Sequence, residues 1–220
     1  MKKLFTLIAV AFAATSLNAQ VITFGEVAQA NTELPKAWTS GDVKLALTND
    51  GKPSVDLNTA NFGTPESYST YISRLKTGGK SSSSRFLTLT VPSDGLVKIA
   101  ARTGSNSDNT RTIVLTQNDT KLVEYTFDEA NAASGTAEDG TTIKAYPYVA
   151  AEVKAGDIVI TFPVNGINIY AIEFTAGATL GINQLTQTSA HGATYNLSGQ
   201  RVNDNYKGVV IRDGKKLVQK

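Results

Sequence analysis

Seven basic side chains, Arg74, Lys76, Lys80, Arg85, Lys98, Arg102 and Arg111, fall between Tyr71 and Arg111, against two acidic ones, Asp94 and Asp108. A guanidinium presents a planar fork of N–H donors that pairs bidentately with a carboxylate, and a tyrosine ring offers a flat apolar face with a polar tip. Tyr68, Tyr71, Arg74, Lys76, Arg85, Arg102 and Arg111 are therefore the candidate ligand-binding residues. The chemistry these types supply is recognition of a polar or anionic ligand, by contacts that weaken with salt. The competing reading makes individual arginines structural, with their stems over apolar surface and their donors on loop carbonyls. Trp38 and Tyr170 read more readily as core than as platforms, and the spacing of Tyr146 and Tyr148 does not decide between the two.

Covalent and metal chemistry find less material. The chain has no Cys and one His, His191, which removes thiolate nucleophiles, zinc clusters and most triads. No carboxylate pair is singled out by its surroundings, so the expectation is no catalytic residue and no enzyme. No cofactor is expected beyond a structural calcium, for which Asp108 with Asn109, or Glu138 with Asp139, would offer loop oxygens. EF-hand spacing is absent, and no metal ligand is assigned.

Short strands must carry these side chains. In residues 85–91, Leu87, Leu89 and Val91 alternate with Thr88 and Thr90, and Pro92-Ser93-Asp94-Gly95 turns the chain into residues 96–101, a predicted hairpin. Val97, Ile99 and Ala101 share one face there, so period two puts Lys98 and Arg102 on the opposite one, away from the core. Residues 111–115 and 122–127 predict a second hairpin about Asn118-Asp119, and residues 43–47 a half-buried strand after Trp38. The polar stretch 58–67 reads as a loop that delivers Tyr68 and Tyr71, and 128–142 as coil. Three further strands follow at 146–153, 157–162 and 167–174. The last, INIYAIEF, is apolar on both parities and belongs in the middle of a sheet covered on both faces. Strand after strand with almost no helical periodicity predicts an all-β fold, an antiparallel β-sandwich of jelly-roll-like type with a small C-terminal β-meander.

Composition sets the compartment and the partners. Residues 1–19 have the form of a secretory signal: Lys2 and Lys3, an apolar run, and Leu17-Asn18-Ala19 as a cleavage site. The run is too short to span a bilayer comfortably, and no other segment is apolar enough to do so. Removing the leader lowers the 21 basic residues to 19, equal to the 19 acidic ones, so the net charge falls from +2 to zero. That balance gives no electrostatic case for nucleic acid. The domain reading is a signal at 1–19, a sandwich at 20–177, a Thr-, Gln- and Ser-rich linker at 178–192 and a compact unit at 193–220.

Two resemblances rest on specific residues. YISRLKTGG, SRFLTLTV, VKIAARTGSNSDNTRTIVL and GINIYAIEF resemble the non-catalytic β-sandwich module found beside pectate lyase domains in secreted Bacteroidetes proteins, matching through Arg74, Lys76, Gly78, Gly79, Arg85, Arg102, Arg111 and residues 166–170. The tail ATYNLSGQRVNDNYKGVVIRDGKKLVQK is similar to C-terminal type IX-like sorting segments, through Tyr195, Leu197, Gly199, Val202, Gly208, Ile211, Gly214 and Lys215, with Val210 where tyrosine is usual. Together they imply a secreted or cell-surface, carbohydrate-binding-module type of protein that recognises plant cell-wall, pectin-like polysaccharide, with a secretion machinery as a second partner. The alternatives are a structural or adhesive surface protein whose sandwich binds protein, and an accessory to a polysaccharide lyase with weak activity.

Overall fold

Alternating apolar residues build two sheets that close on one another in the computed structural model of the chain. The structure describes residues 19–30, 33–105, 107–136, 140–180, 194–196, 201–202, 207–212 and 215–219. Two compact units divide the chain, residues 1–180 and 181–220. The leader at 1–18, His191 with most of the linker, and the Glu138-Asp139 pair lie outside the described residues.

In the first unit, a six-stranded sheet contains β2 (Ala37–Ser40), β3 (Val43–Thr48), β6 (Phe86–Val91), β13 (Gly156–Thr161), β8 (Thr112–Gln117) and β9 (Thr120–Thr126), in that spatial order. The larger sheet runs β10 (Ala133–Thr136), β11 (Thr142–Tyr146), β4 (Ser54–Thr64), β5 (Ser67–Lys76), β14 (Ile167–Ala176), β7 (Gly95–Thr103), β12 (Val149–Val153), with β1 (Gln20–Thr23) also on β14. Neighbours pair antiparallel throughout this unit, except β11 with β4, which is parallel. A short helix α1 (Gly25–Ala30) follows β1.

Leu45, Leu87, Leu89, Ile158 and Ile160 of the smaller sheet and Val97, Ile99, Ile169 and Ile172 of the larger one share a single buried cluster, the interior of the sandwich. The all-β antiparallel sandwich read from the strand pattern is the observed fold. β14 is buried on both faces: Ile167, Ile169, Ile172 and Phe174 face the interior, while Tyr170 and Ala171 join a second cluster with Phe62, Ala100 and Tyr146. A register slip between Ile169 and Ala171 makes that possible by changing the side on which successive residues emerge.

The predicted hairpin across Pro92–Gly95 is corrected by the structure. β6 pairs with β3 and β13, whereas β7 pairs with β14 and β12, so the turn carries the chain from one sheet to the other. Strands with one apolar face satisfy either arrangement, and only the pairing partners decide between them. The hairpin β8–β9 forms as predicted, with Asn118 and Asp119 at φ 49° and 59°, the left-handed pair that a tight two-residue turn requires. Residues 58–64, read as loop, belong to β4, which pairs with β5 along most of its length. The predicted strand 146–153 is split by Pro147 into β11 and β12, and the segment read as coil contains a 3₁₀ turn at Glu129–Asn131 and β10.

The second unit is a four-stranded antiparallel sheet in the order β16 (Arg201–Val202), β15 (Thr194–Asn196), β17 (Gly208–Arg212), β18 (Lys215–Gln219).

Candidate functional site

The sheet register gathers part of the basic stretch. Asn168 on β14 is the Cα partner of Lys76 on β5 and of Arg102 on β7, so one row across three strands reads Lys76, Asn168, Arg102. Arg74, two residues before Lys76, shares its face of β5 and pairs across to Asp56 on β4. Beside this row opens a polar cleft of about 290 Å³, lined by Asn58, Arg74, Arg102, Thr103, Gly104 and Asn168 among others. The Tyr170 hydroxyl donates to Asn58 Oδ1, and Asn168 Nδ2 donates to the Thr103 carbonyl, so both amides are held from behind.

Each guanidinium of the cleft is anchored along one edge. Arg74 donates from Nε and Nη2 to the two carboxylate oxygens of Asp56, at 2.8 and 3.3 Å. Arg102 donates from Nε and Nη2 to Glu129 at 3.0–3.3 Å, and its Cζ lies 4.1 Å from the centre of the Tyr146 ring. Among the described residues no hydrogen bond engages Arg102 Nη1. The carboxylates are themselves shared: Lys76 also pairs with Asp56, and Lys144 with Glu129. Four cations thus meet two carboxylates, leaving an excess of two positive charges at the cleft. Burial works to raise both acids, but Arg74 and Lys76 outweigh it at Asp56, and Tyr146, Arg102 and Lys144 outweigh it at Glu129, so both sit below the usual carboxylate range.

The other candidates are placed elsewhere. Arg85 is buried, 6% exposed. Its Nε and Nη2 engage Asp50 and its Nη1 donates to the Lys80 carbonyl, which makes it part of the framework under Gly79. Arg111 donates from Nε to Asp108 at 2.9 Å and from Nη1 to the Gly166 carbonyl, tying two loops together. Arg85 holds Asp50, and Arg111 holds Asp108, at about 2. Asp108, considered for calcium, is thereby occupied with Arg111 and Thr110. Among the described residues no three Asp, Glu or His side chains converge as metal ligands would.

Tyr71 stands apart from the cleft: its hydroxyl donates to Glu173 and lies 3.1 Å from that of Tyr148, which also reaches Glu173 at 3.0 Å. Burial, reinforced by Glu173, pushes the Tyr71 hydroxyl far above the ordinary tyrosine value. Tyr68 is exposed on the β4–β5 hairpin and does not line the cleft. Arg74 and Arg102 are thus the candidates that line it, with Lys76 at the far end of the row that Asn168 and Arg102 continue. Asn58, Asn168 and Glu129 were missed. Asn168 had a signal, as the one uncharged polar residue inside INIYAIEF; Asn58 and Glu129 lay in stretches read as loop and coil.

No protein-family model matches the chain. No curated protein matches it. Among solved structures, the chain is similar to the catalytic domain of a GH87 α-1,3-glucanase in complex with tetrasaccharides, at 10% identity and a TM-score of 0.30, over 62% of this chain and 28% of that one. It is similar to the isomalto-dextranase of Arthrobacter globiformis T6 complexed with panose, at 15% identity and a TM-score of 0.31, over 60% and 23%. A third is the catalytic unit of a thermostable GH87 α-1,3-glucanase from Streptomyces thermodiastaticus strain HF3-3, at 13% and 0.29, over 61% and 26%. The chain spans about a quarter of the length of the structures it matches.

The expectation that the chain is not an enzyme is withdrawn: the structures it matches are described as a catalytic domain, an isomalto-dextranase and a catalytic unit, and so slight a likeness neither assigns an activity to the chain nor excludes one. The physical basis of that expectation was narrow: a scarcity of His and Cys does not bear on carboxylate chemistry, and a pair of carboxylates brought together only by the fold, which sequence surroundings do not single out, suffices for glycoside cleavage. At this level of likeness no residue, substrate or activity passes from those structures to this chain.

Proposed function

We propose that the first unit recognises carbohydrate bearing carboxylate groups, a pectin-like plant polysaccharide, at the Arg74–Arg102 cleft. The observation that carries this reading is the convergence of two anchored guanidiniums and two braced amides on one polar cleft with an excess of positive charge. Guanidiniums fixed along one edge retain donors for a ligand carboxylate, and amides supply both a donor and an acceptor for hydroxyl groups. Binding of this kind serves recognition and turnover alike.

The secretory leader and the sorting-like tail belong to the same reading, with a surface or extracellular protein meeting a polymer outside the cell. Among the described residues no helix is long and apolar enough to cross a membrane.

Affinity electrophoresis of the full chain against polygalacturonate, with and without calcium, tests the proposal. Retardation that falls as salt rises is expected, and it should be lost in Arg74→Ala and Arg102→Ala. The absence of retardation by any pectic polymer would remove it.

A further inference from the structure

Gly104 and Asn168 line a second depression as well as the first. It has a volume of about 260 Å³ and is bordered also by Lys76, Gly79, Arg111 and Asn165. Glycine makes this junction possible. A Cβ on Gly104 would come within 2.6 Å of the Gly166 carbonyl oxygen, and one on Gly166 within 2.7 Å of the Gly79 nitrogen, so three loops approach to main-chain contact. Both depressions therefore border the same Gly104–Asn168 element.

The second depression repeats the chemistry of the first. Arg111 is anchored through Nε and Nη1, and among the described residues no hydrogen bond engages its Nη2. Lys76 shares its single carboxylate partner, Asp56, with Arg74. Each depression is smaller than the roughly 300–1,000 Å³ usual for a drug-sized ligand, a size suited to one sugar ring.

We propose that the two depressions are adjacent subsites of one groove, each taking one residue of an acidic polysaccharide, so that the ligand is a run of at least two consecutive uronate units. This rests on the carbohydrate reading above. Linking two weak sites through a covalent ligand turns the second contact into an intramolecular one, so affinity should climb with chain length.

Calorimetry of the full chain with galacturonate monomer, dimer and trimer tests it, together with the variant Asn165→Asp. Asn165 Oδ1 accepts from the Gly166 nitrogen, and aspartate keeps that acceptor while adding a negative charge to the second subsite alone. The native chain should gain about tenfold or more in affinity from monomer to trimer. Asn165→Asp should leave monomer binding within about twofold while losing most of that gain. Equal affinity for monomer and trimer would overturn the two-subsite groove and leave the single cleft standing, as would an equal loss for both ligands in the variant. Failure to bind a uronate of any length would overturn the carbohydrate reading and the groove with it.

Discussion

Arg102 grips Glu129, a residue 27 positions away, with Nη2 at 3.0 and 3.1 Å from its two carboxylate oxygens. Glu129 begins the 3₁₀ turn Glu129–Asn131, which is capped by the Asp128 side chain accepting from the Ala130 nitrogen. The turn therefore holds the acid, and the acid holds the guanidinium over Tyr146. A carboxylate in this position orients the arginine instead of competing with the ligand, because it takes one edge of the fork.

Replacing Glu129 by Gln retains the shape of the side chain and removes its charge, leaving Arg102 and Lys144 without their acid. Stability should fall by about 1–2 kcal/mol, the range for a charged hydrogen bond partly open to water. The cleft gains one positive charge, so retardation by polygalacturonate should become more salt-dependent. Urea unfolding and electrophoresis at two salt concentrations check both effects, and an unchanged salt dependence would refute the orienting role.

Arg85 and Arg74 should separate framework from site. Arg85→Ala removes a buried guanidinium and leaves Asp50 and the Lys80 carbonyl without their donor, so it should lower the thermal midpoint more than Arg74→Ala does. Arg74→Ala should weaken polygalacturonate binding with the smaller loss of stability. Melting curves set beside binding isotherms decide it, and the reverse ordering would place Arg74 in the framework.

Acid should unfold the protein in a defined window. Asp50 and Asp108 are lowered to about 2 by Arg85 and Arg111 respectively, against an unfolded value near 3.9. Their contribution is fully present above the unfolded value and is lost as pH falls toward about 2. Denaturant midpoints should therefore drop between about pH 4 and pH 2, and the drop should shrink in Asp50→Asn and Asp108→Asn.

Tyr71 should resist ionisation. Burial, then the hydrogen bonds to Glu173 and Tyr148, raise it, so the stability it contributes is present below about pH 10 and is lost as pH climbs above that value. In an ultraviolet difference titration, Tyr71→Phe should leave the tyrosinate signal below that pH unchanged. The same variant should cost about 1 kcal/mol, the net value of a typical hydrogen bond, in urea unfolding.

Residue pattern went far toward the fold and only partway toward the site. The alternation in residues 85–91 and 96–101 identified the inward faces of β6 and β7 but not their partners, since an apolar face is satisfied equally by a hairpin and by a crossing between layers. The polar stretch 58–64 hid half a strand because only Ala60 and Phe62 there are buried. An excess of five positive charges from Tyr71 to Arg111 marked the correct stretch, yet it could not sort Arg85, enclosed by Asp50, from Arg74 and Arg102 at the cleft. Of the four carboxylates that answer these arginines, Asp50 and Asp56 precede the basic stretch, Asp108 lies within it and Glu129 follows it.

The sequence by itself determined that the chain is all-β, that β14 is central, and that Lys98 and Arg102 share the polar face of β7, because period-two alternation is a local property of each strand. Tertiary structure alone decided which arginines meet. The row Lys76, Asn168, Arg102 exists because β14 lies between β5 and β7 in one register, and hydrogen bonding between distant strands sets that register.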